Sequence, residues 1–252
     1  MDRISAVIIT HNEARNIGRC IDSLKGIADE VVVVDSGSTD KTERICREAG
    51  AGFFHHDWAG YSAQKNYAET LATGDWILSL DADEALSDEL RGSLLELKGA
   101  MPQERTVYSF SRLTNFSGRW IRHCGWYPDE KIRLWPKGTC RWEGLVHEEL
   151  QMGSEMRRQR LSGDLLHYSY YSVEELAERQ VKYASLAAQK AHEGGKRCPC
   201  GALWLKPAWT FVRNYFFRGG FLDGRAGFVV CRMTAFYTLV KYARLKELGR
   251  EM

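Results

Sequence analysis

Two aspartates, Asp81 and Asp83, close an apolar run that reads W-I-L-S-L-D-A-D-E from Trp76 to Glu84. If the backbone stays extended there, alternating side chains put both carboxylates on one side of a strand's exit. Hard divalent cations such as Mg²⁺ or Mn²⁺ take oxygen ligands and keep positions open for phosphate oxygens. A carboxylate pair at that place is therefore suited to anchor a metal and a diphosphate. An Asp-x-Asp triplet is common by chance in a chain of this size, so its surroundings carry the argument.

Those surroundings alternate between strand and helix. Ile4 to Thr10 is a continuous apolar run, followed by a polar turn and an amphipathic stretch from Ala14 to Leu24. Glu30 to Asp35, E-V-V-V-V-D, is β-branched and too short for a helix, as expected of a strand covered on both faces. Ser36-Gly37-Ser38-Thr39-Asp40 supplies a tight turn and helix N-caps before K-T-E-R-I-C-R-E-A. A short strand over Gly52 to His55, a helix from Tyr61 to Thr73 and the strand ending at Asp81 complete a β-α-β-α-β-α-β order. That order predicts an α/β fold with a mainly parallel sheet. Ligands of such sheets bind beyond the carboxyl ends of the strands, where His11-Asn12-Glu13, Asp35 and Asp81/Asp83 all fall.

At 252 residues and 44% hydrophobic content the chain is long enough to bury a full core. Its seven cysteines are scattered and odd in number, the pattern of reduced thiols rather than a disulfide framework. Cys198-Pro199-Cys200 is too closely spaced for a C-x-x-C zinc knuckle and reads as a loop turn. The first residues lead directly into a strand, so no secretory leader is expected. Ser172-Val173-Glu174-Glu175 has capping-box spacing for a helix reaching about His192, which Gly194-Gly195 would end. The expected organisation is one domain over residues 1–170 and an α-helical, basic and aromatic extension over 171–252.

The net charge of +2 hides an asymmetry: residues 196–252 carry 11 Lys/Arg against 3 Asp/Glu, and residues 1–195 carry 24 against 30. The basic tail is also aromatic, with W-L-K-P-A-W-T-F-V-R-N-Y-F-F-R from Trp204 to Arg218. Arg232 and Lys241 interrupt its second apolar segment, so no run long enough to span a bilayer is expected. Cations near anionic head groups with Trp, Phe and Tyr at the acyl boundary fit reversible attachment to an anionic membrane surface. The alternative is that these helices pack on the first domain or on another subunit. No recognition motif accompanies the charge, so nucleic acid is not an expected partner.

T-H-N-E at Thr10 to Glu13, V-D-S-G-S-T-D at Val34 to Asp40, Q-K-N at Gln64 to Asn66 and L-D-A-D-E at Leu80 to Glu84 resemble the family 2 glycosyltransferases of the GT-A fold. P-D-E-K-I-R-L-W at Pro128 to Trp135, W-E-G-L-V-H-E at Trp142 to Glu148, and F-L-D-G-R-A-G-F in the tail are similar to bacterial lipopolysaccharide core glycosyltransferases of the heptose β-1,4-glucosyltransferase type. The resemblance implies an inverting transfer of a hexose, glucose first, from a UDP-sugar to a lipid-linked saccharide. The implied acceptor is the inner-core heptose of lipopolysaccharide, and the implied place is the inner face of the cytoplasmic membrane, peripherally bound. It also implies residue roles. Asp35 would accept the uracil N3–H, with Thr10, Asn12 and Glu13 lining the base and ribose pocket and Lys65 adding positive charge. Asp83 would ligate Mg²⁺ or Mn²⁺, and Asp81 would lie nearer the ribose or a metal-bound water.

Glu148 is the first candidate for the base that takes the acceptor hydroxyl's proton, and Glu143, Glu149 and Asp129 are alternatives. His147 would position a phosphate or ligate the metal, or else be a half-buried structural histidine. Arg133 would contact the donor phosphate or the acceptor, or form an ordinary salt bridge. Asp35 and Asp40 have a purely structural alternative as turn and cap residues. Two rivals from other classes are weaker. A phosphatase of the haloacid dehalogenase type carries its Asp-x-Asp on the first strand with Thr or Val two residues on, where this chain has the fourth strand and Ala85. A non-catalytic nucleotide-binding, membrane-associated protein would bind UDP without turnover.

Overall fold

A computed structural model describes residues 3–100, 105–144 and 149–249. The chain divides into two compact units, one of residues 1–112 and 129–167, the other of residues 113–128 and 168–252.

The first unit opens with β1 (Ile4–Thr10), α1 (Ile17–Ser23), β2 (Glu30–Asp35), α2 (Thr42–Glu48), β3 (Gly52–His55), α3 (Tyr61–Leu71) and β4 (Trp76–Asp81). These are the strands and helices that the apolar runs predict, with two trimmed ends. Helix α1 starts at Ile17 because Glu13 O takes both the Asn16 and Ile17 N–H groups in a turn ahead of it. Helix α3 stops at Leu71 because Glu30 captures Thr73 through its N–H (2.8 Å) and hydroxyl (3.1 Å) and draws the chain toward β4.

The chain continues through β5 (Glu84–Leu86), α4 (Asp88–Gly99) and β6 (Thr106–Phe116). After β7 (Arg119–Ile121), described with the second unit, come β8 (Asp129–Pro136), β9 (Cys140–Glu143), β10 (Glu149–Met152) and β11 (Arg157–Tyr170). The strand order is β3-β2-β1-β4-β8-β6-β11-β5. Strands β3, β2, β1 and β4 are parallel, whereas β8 joins β4 antiparallel and the β6–β8 and β11–β5 pairs are antiparallel. The sheet is thus mixed, with the parallel half supplied by the βαβ units.

Both faces of the parallel strands are apolar. Ile4, Ala6, Ile8, Val33, Leu78 and Leu80 pack on one side with Ile17, Ile21 and Leu24 of the α1 region, and Val7, Val32, Val34 and Ile77 on the other with Ala68 and Ala72. Each fully buried Ile or Leu stabilises by roughly 1.5–3 kcal/mol, which is why these runs have no polar alternation. Gly163 lets β11 pass over the start of α4: its φ is +93°, and a Cβ there would lie 2.2 Å from the Leu90 nitrogen.

The second unit holds β7, α5 (Val173–Glu193), α6 (Ala202–Val212) and α7 (Gly224–Leu248), with a π turn over Arg213–Phe217 and a 3-10 turn over Gly220–Asp223. Ser172 caps α5 by accepting the Glu175 N–H at 3.2 Å, while Glu175 accepts the Tyr171 N–H at 2.7 Å. Helix α7 packs on α5 and α6. The core around Leu176, Val230 and Cys231 includes Phe116, Ile121 and Cys124, so the 113–128 segment belongs with the C-terminal helices. No helix among the described residues is long and apolar enough to cross a membrane.

Candidate active site

Strand order locates the crevice. After β1 the chain moves outward to β2 and β3, then returns to place β4 on the other flank of β1. The carboxyl ends of β1 and β4 therefore form a topological switch point, where α/β sheets leave room for a ligand. Thr10 lies opposite Asp35 across the β1–β2 pair, and Ile9 opposite Asp81 across β1–β4.

On the β2 side the polar residues mostly hold the loops. Asp35 accepts the Gly37 and Ser38 N–H groups at 2.8 Å each and the Ser38 hydroxyl. Asn12, at φ +55°, receives the Thr39 N–H on its Oδ1 and gives its own N–H to Ser38 Oγ, both at 2.8 Å. Glu13 orients Asn16 at 2.8 Å, and Asp40 accepts from Thr42 and Ala14. These bonds make the turn roles of Asp35 and Asp40 concrete, and they fix a rigid wall beside the crevice. Thr10 differs: its hydroxyl oxygen is buried with no hydrogen-bond partner among the described residues. A buried polar atom left open at a strand end is one a bound molecule can satisfy.

On the β4 side, residues 82–83 form a turn, so Asp81 and Asp83 do not continue one extended strand. The expectation that they share a side gives way to two separate environments. Asp81 is clamped by Lys65 Nζ at 3.0 Å and Arg133 Nη2 at 2.8 Å, both cations being almost completely buried. Burial alone would raise the Asp81 pKa, but the charges of Lys65 and Arg133 outweigh it and hold the carboxyl well below the usual carboxylate range. Asp83 instead meets His167 Nε2 of β11 at 3.2 Å.

Behind Asp81 lies an ionic relay that begins in the buried interior and runs out to partly exposed groups. Glu84, whose side chain is 0% exposed, accepts from Arg133 Nη2 at 2.6 Å and faces Arg112 Nη1 at 3.5 Å. Its other oxygen takes the Asp81 N–H at 3.0 Å. Arg112 then donates to Asp129 at 2.7 and 3.0 Å, and Lys131 pairs with Asp129 at 3.0 Å. Burial pushes the Asp129 pKa up, yet Arg112 and Lys131 bring it below its ordinary value, which makes this carboxylate a poor proton acceptor. Arg133 pairs with Asp81 and Glu84, the ion-pair alternative for this residue, and Lys65 delivers its charge to Asp81. The buried Cys20 thiol is pushed well up by burial, with Glu84, Asp83 and Asp81 adding to the effect, and is inert.

The Q-K-N motif works in three directions. Gln64 donates to His56 O at 2.8 Å, Lys65 reaches Asp81, and Asn66 exchanges two hydrogen bonds with the Trp142 backbone at 2.9 and 3.0 Å. Lys65 Nζ also sits 4.4 Å over the Trp142 ring. Glu143 ends β9 and Glu149 begins β10, both exposed. His147 and Glu148 lie outside the described residues. Sequence reasoning missed Glu84, Arg112 and His167; only Glu84, inside the L-D-A-D-E motif, had a local signal.

Among the described residues no three His, Cys, Asp or Glu side chains gather as a ready-made metal site. Asp83 and His167 offer one oxygen and one nitrogen donor. That set fits a Mn²⁺ or Mg²⁺ ion that keeps several positions for diphosphate oxygens and water.

The family model described as Glycosyl transferase family 2 matches residues 5–139. The chain is 32% identical over 256 residues to the lipopolysaccharide core biosynthesis glycosyltransferase LpsC of Rhizobium meliloti, covering 97% of this chain and 92% of that protein. It is 33% identical over 258 residues to an uncharacterized glycosyltransferase of Rickettsia typhi, covering 99% and 88%. Among solved structures, a glucosyl-3-phosphoglycerate synthase from Mycobacterium tuberculosis, in complex with Mn²⁺, uridine diphosphate and glucosyl-3-phosphoglycerate, matches 45% of this chain and 44% of its own at 24% identity, with a TM-score of 0.37. The α/β architecture is of the GT-A type, and the chain belongs to the family 2 glycosyltransferases.

Proposed function

We propose that this enzyme transfers a hexose, glucose first, from a UDP-sugar to a lipid-linked saccharide with inversion, the inner-core heptose of lipopolysaccharide being the preferred acceptor. The observation that carries the reading is the division of labour at the end of β4. Asp81 is immobilised by Lys65 and Arg133, and Asp83 faces His167. In this reading the uracil and ribose lie along Thr10, Asn12, Glu13 and Asp35, where the open Thr10 hydroxyl supplies a hydrogen bond. Asp81, its charge neutralised and its position fixed, orients the ribose.

Asp83 and His167 would hold a divalent cation, which supplies neutralisation of the charge that develops on the departing diphosphate. Glu148 removes the acceptor hydroxyl proton as that oxygen attacks the anomeric carbon from the side opposite the diphosphate. The name of the Rhizobium relative supports a lipopolysaccharide acceptor. The tail supports a peripheral site on the cytoplasmic face of the inner membrane: Trp204, Leu205, Trp209, Phe216 and Phe217 of the second unit are exposed, with Lys206, Arg213 and Arg218 among them.

The test is UDP release from a panel of UDP-sugars with purified deep-rough lipopolysaccharide, in Mn²⁺, Mg²⁺ or chelator. Wild type is compared with Asp83→Ala, His167→Ala and Glu148→Gln. Release that needs one sugar, the acceptor, the cation and all three side chains is expected. Turnover only on an exopolysaccharide, protein or peptide acceptor would replace the lipopolysaccharide assignment, and full activity of Asp83→Ala in chelator would remove the cation from the scheme.

A further inference from the structure

A second polar concavity lies wholly within the helical unit, formed by the 113–128 segment and the turn after α6. Arg122, His123, Gly125, Tyr127 and Arg218 line a cavity of about 380 Å³. Its cations are held by packing. The Arg122 guanidinium stacks 5.7 Å from the centre of the Tyr127 ring. Arg218 lies against the bare backbone of Gly125, where a Cβ would come within 2.2 Å of its Nη1, and Gly125 adopts φ +78° to leave that space. The Cys124 N–H ties the same loop to the Arg218 carbonyl at 3.2 Å. Among the described residues, Arg218 has no carboxylate within ion-pair distance.

The nearby acid, Asp223, is already committed. It is almost fully buried and accepts the Arg122 N–H at 3.3 Å, the His123 N–H at 2.8 Å and His123 Nδ1 at 2.8 Å. Binding Nδ1 fixes the ring, so Nε2 is the atom His123 has left for another partner. Two guanidinium groups, an oriented imidazole and a phenol around one cavity match a tetrahedral oxyanion, for which Arg provides paired donors.

We propose that this cavity binds a phosphate group borne by a lipid at the membrane surface. The cavity is larger than a phosphate and leaves room for what is esterified to it. Arg218 follows the exposed Phe216 and Phe217 and precedes the exposed Phe221 and Leu222, so the anion site is bracketed in sequence by side chains suited to an acyl boundary. The assignment does not depend on the transfer reaction, and its test reads binding alone.

The full-length protein with ¹⁵N-labelled histidine is titrated with inorganic phosphate, with glycerol 3-phosphate, and with vesicles of phosphatidylcholine with or without phosphatidic acid, all at fixed ionic strength. A saturable shift of the His123 ring resonances is expected with phosphate. Phosphatidic acid vesicles should produce the same shift, and phosphatidylcholine alone should not. Arg218→Gln should weaken the response roughly ten- to hundredfold, as loss of one charge-assisted hydrogen bond does. A response to the soluble phosphates but not to phosphatidic acid would overturn the lipid source. No shift of His123 with any phosphate, or equal affinity in a folded Arg218→Gln, would overturn the site; if that variant does not fold, the wild-type titration decides alone.

Discussion

Glu84 is the fully buried member of the ionic relay, and replacing it with Gln removes its charge while keeping its shape. Glutamine keeps the volume and one acceptor for Arg133 at the 2.6 Å position, but removes the negative charge between the buried Arg133 and half-buried Arg112 guanidinium groups and the oxygen that accepts the Asp81 N–H at 3.0 Å. Burial would lower the Arg133 pKa, and the negative charges of Glu84 and Asp81 hold it above its ordinary value instead. Deleting one partner of a buried ion pair costs about 3–5 kcal/mol, because the other charge stays out of water. At roughly 2–4 °C per kcal/mol for a chain of this size, Glu84→Gln should melt about 6–20 °C below wild type. Glu130→Gln is the control: its partners Arg158 at 2.6 Å and Arg160 at 3.6 Å are 42% and 51% exposed, so its loss should cost under about 1 kcal/mol. Scanning calorimetry of the three proteins in one buffer measures both effects. A Glu84→Gln transition within about 2 °C of that of Glu130→Gln would refute the claim that the buried Glu84–Arg133 pair needs both of its charges.

Gly163→Ala should destabilise by about 2 kcal/mol or more, since a methyl group must displace the Leu90 backbone while the residue holds a left-handed φ; urea unfolding reads it directly. The depressed Asp81 pKa fixes a sign with pH. The stabilisation it reflects is complete above the unfolded value of about 3.9 and is lost as pH falls from there toward the lower folded value. The stability gap between wild type and Asp81→Asn should accordingly stay level from pH 5 to 8 and shrink below about pH 4; a gap that is unchanged at about pH 3 would contradict the clamp. Combined Trp204→Ala and Phe217→Ala should reduce sedimentation with anionic vesicles by roughly tenfold or more while leaving the melting temperature in place, because both rings are exposed at 81% and 73%.

The parallel half of the fold was legible because each strand is a short apolar run with a polar stop. Ile4–Thr10 and Glu30–Asp35 coincide with elements in the structure, since burial on both faces leaves Ser5 as the one polar residue inside these two runs, and the largely exposed edge strand Gly52–His55 coincides as well. Other features depend on distance along the chain. His167 reaches Asp83 from a strand 84 residues away, and nothing local distinguishes it from a half-buried histidine. The turn at 82–83 was hidden because an Asp-Ala-Asp string is compatible with either an extended or a turning backbone. Likewise residues 113–128 join the helical unit through the core they share with Leu176, Val230 and Cys231 and through Asp223, whose carboxylate receives groups from Arg122 and His123 about a hundred positions earlier.

Gln64, Lys65 and Asn66 make α3 a three-way mechanical coupler. Three adjacent positions on one turn of helix hold the loop after β3, the acid at the end of β4 and the backbone of β9. A small rotation of α3 that improved one of these attachments would spoil the other two. The three attachments therefore stand or fall together, and a shift of the loop after β3 or of β9 is carried through the helix to the Lys65–Asp81 pair.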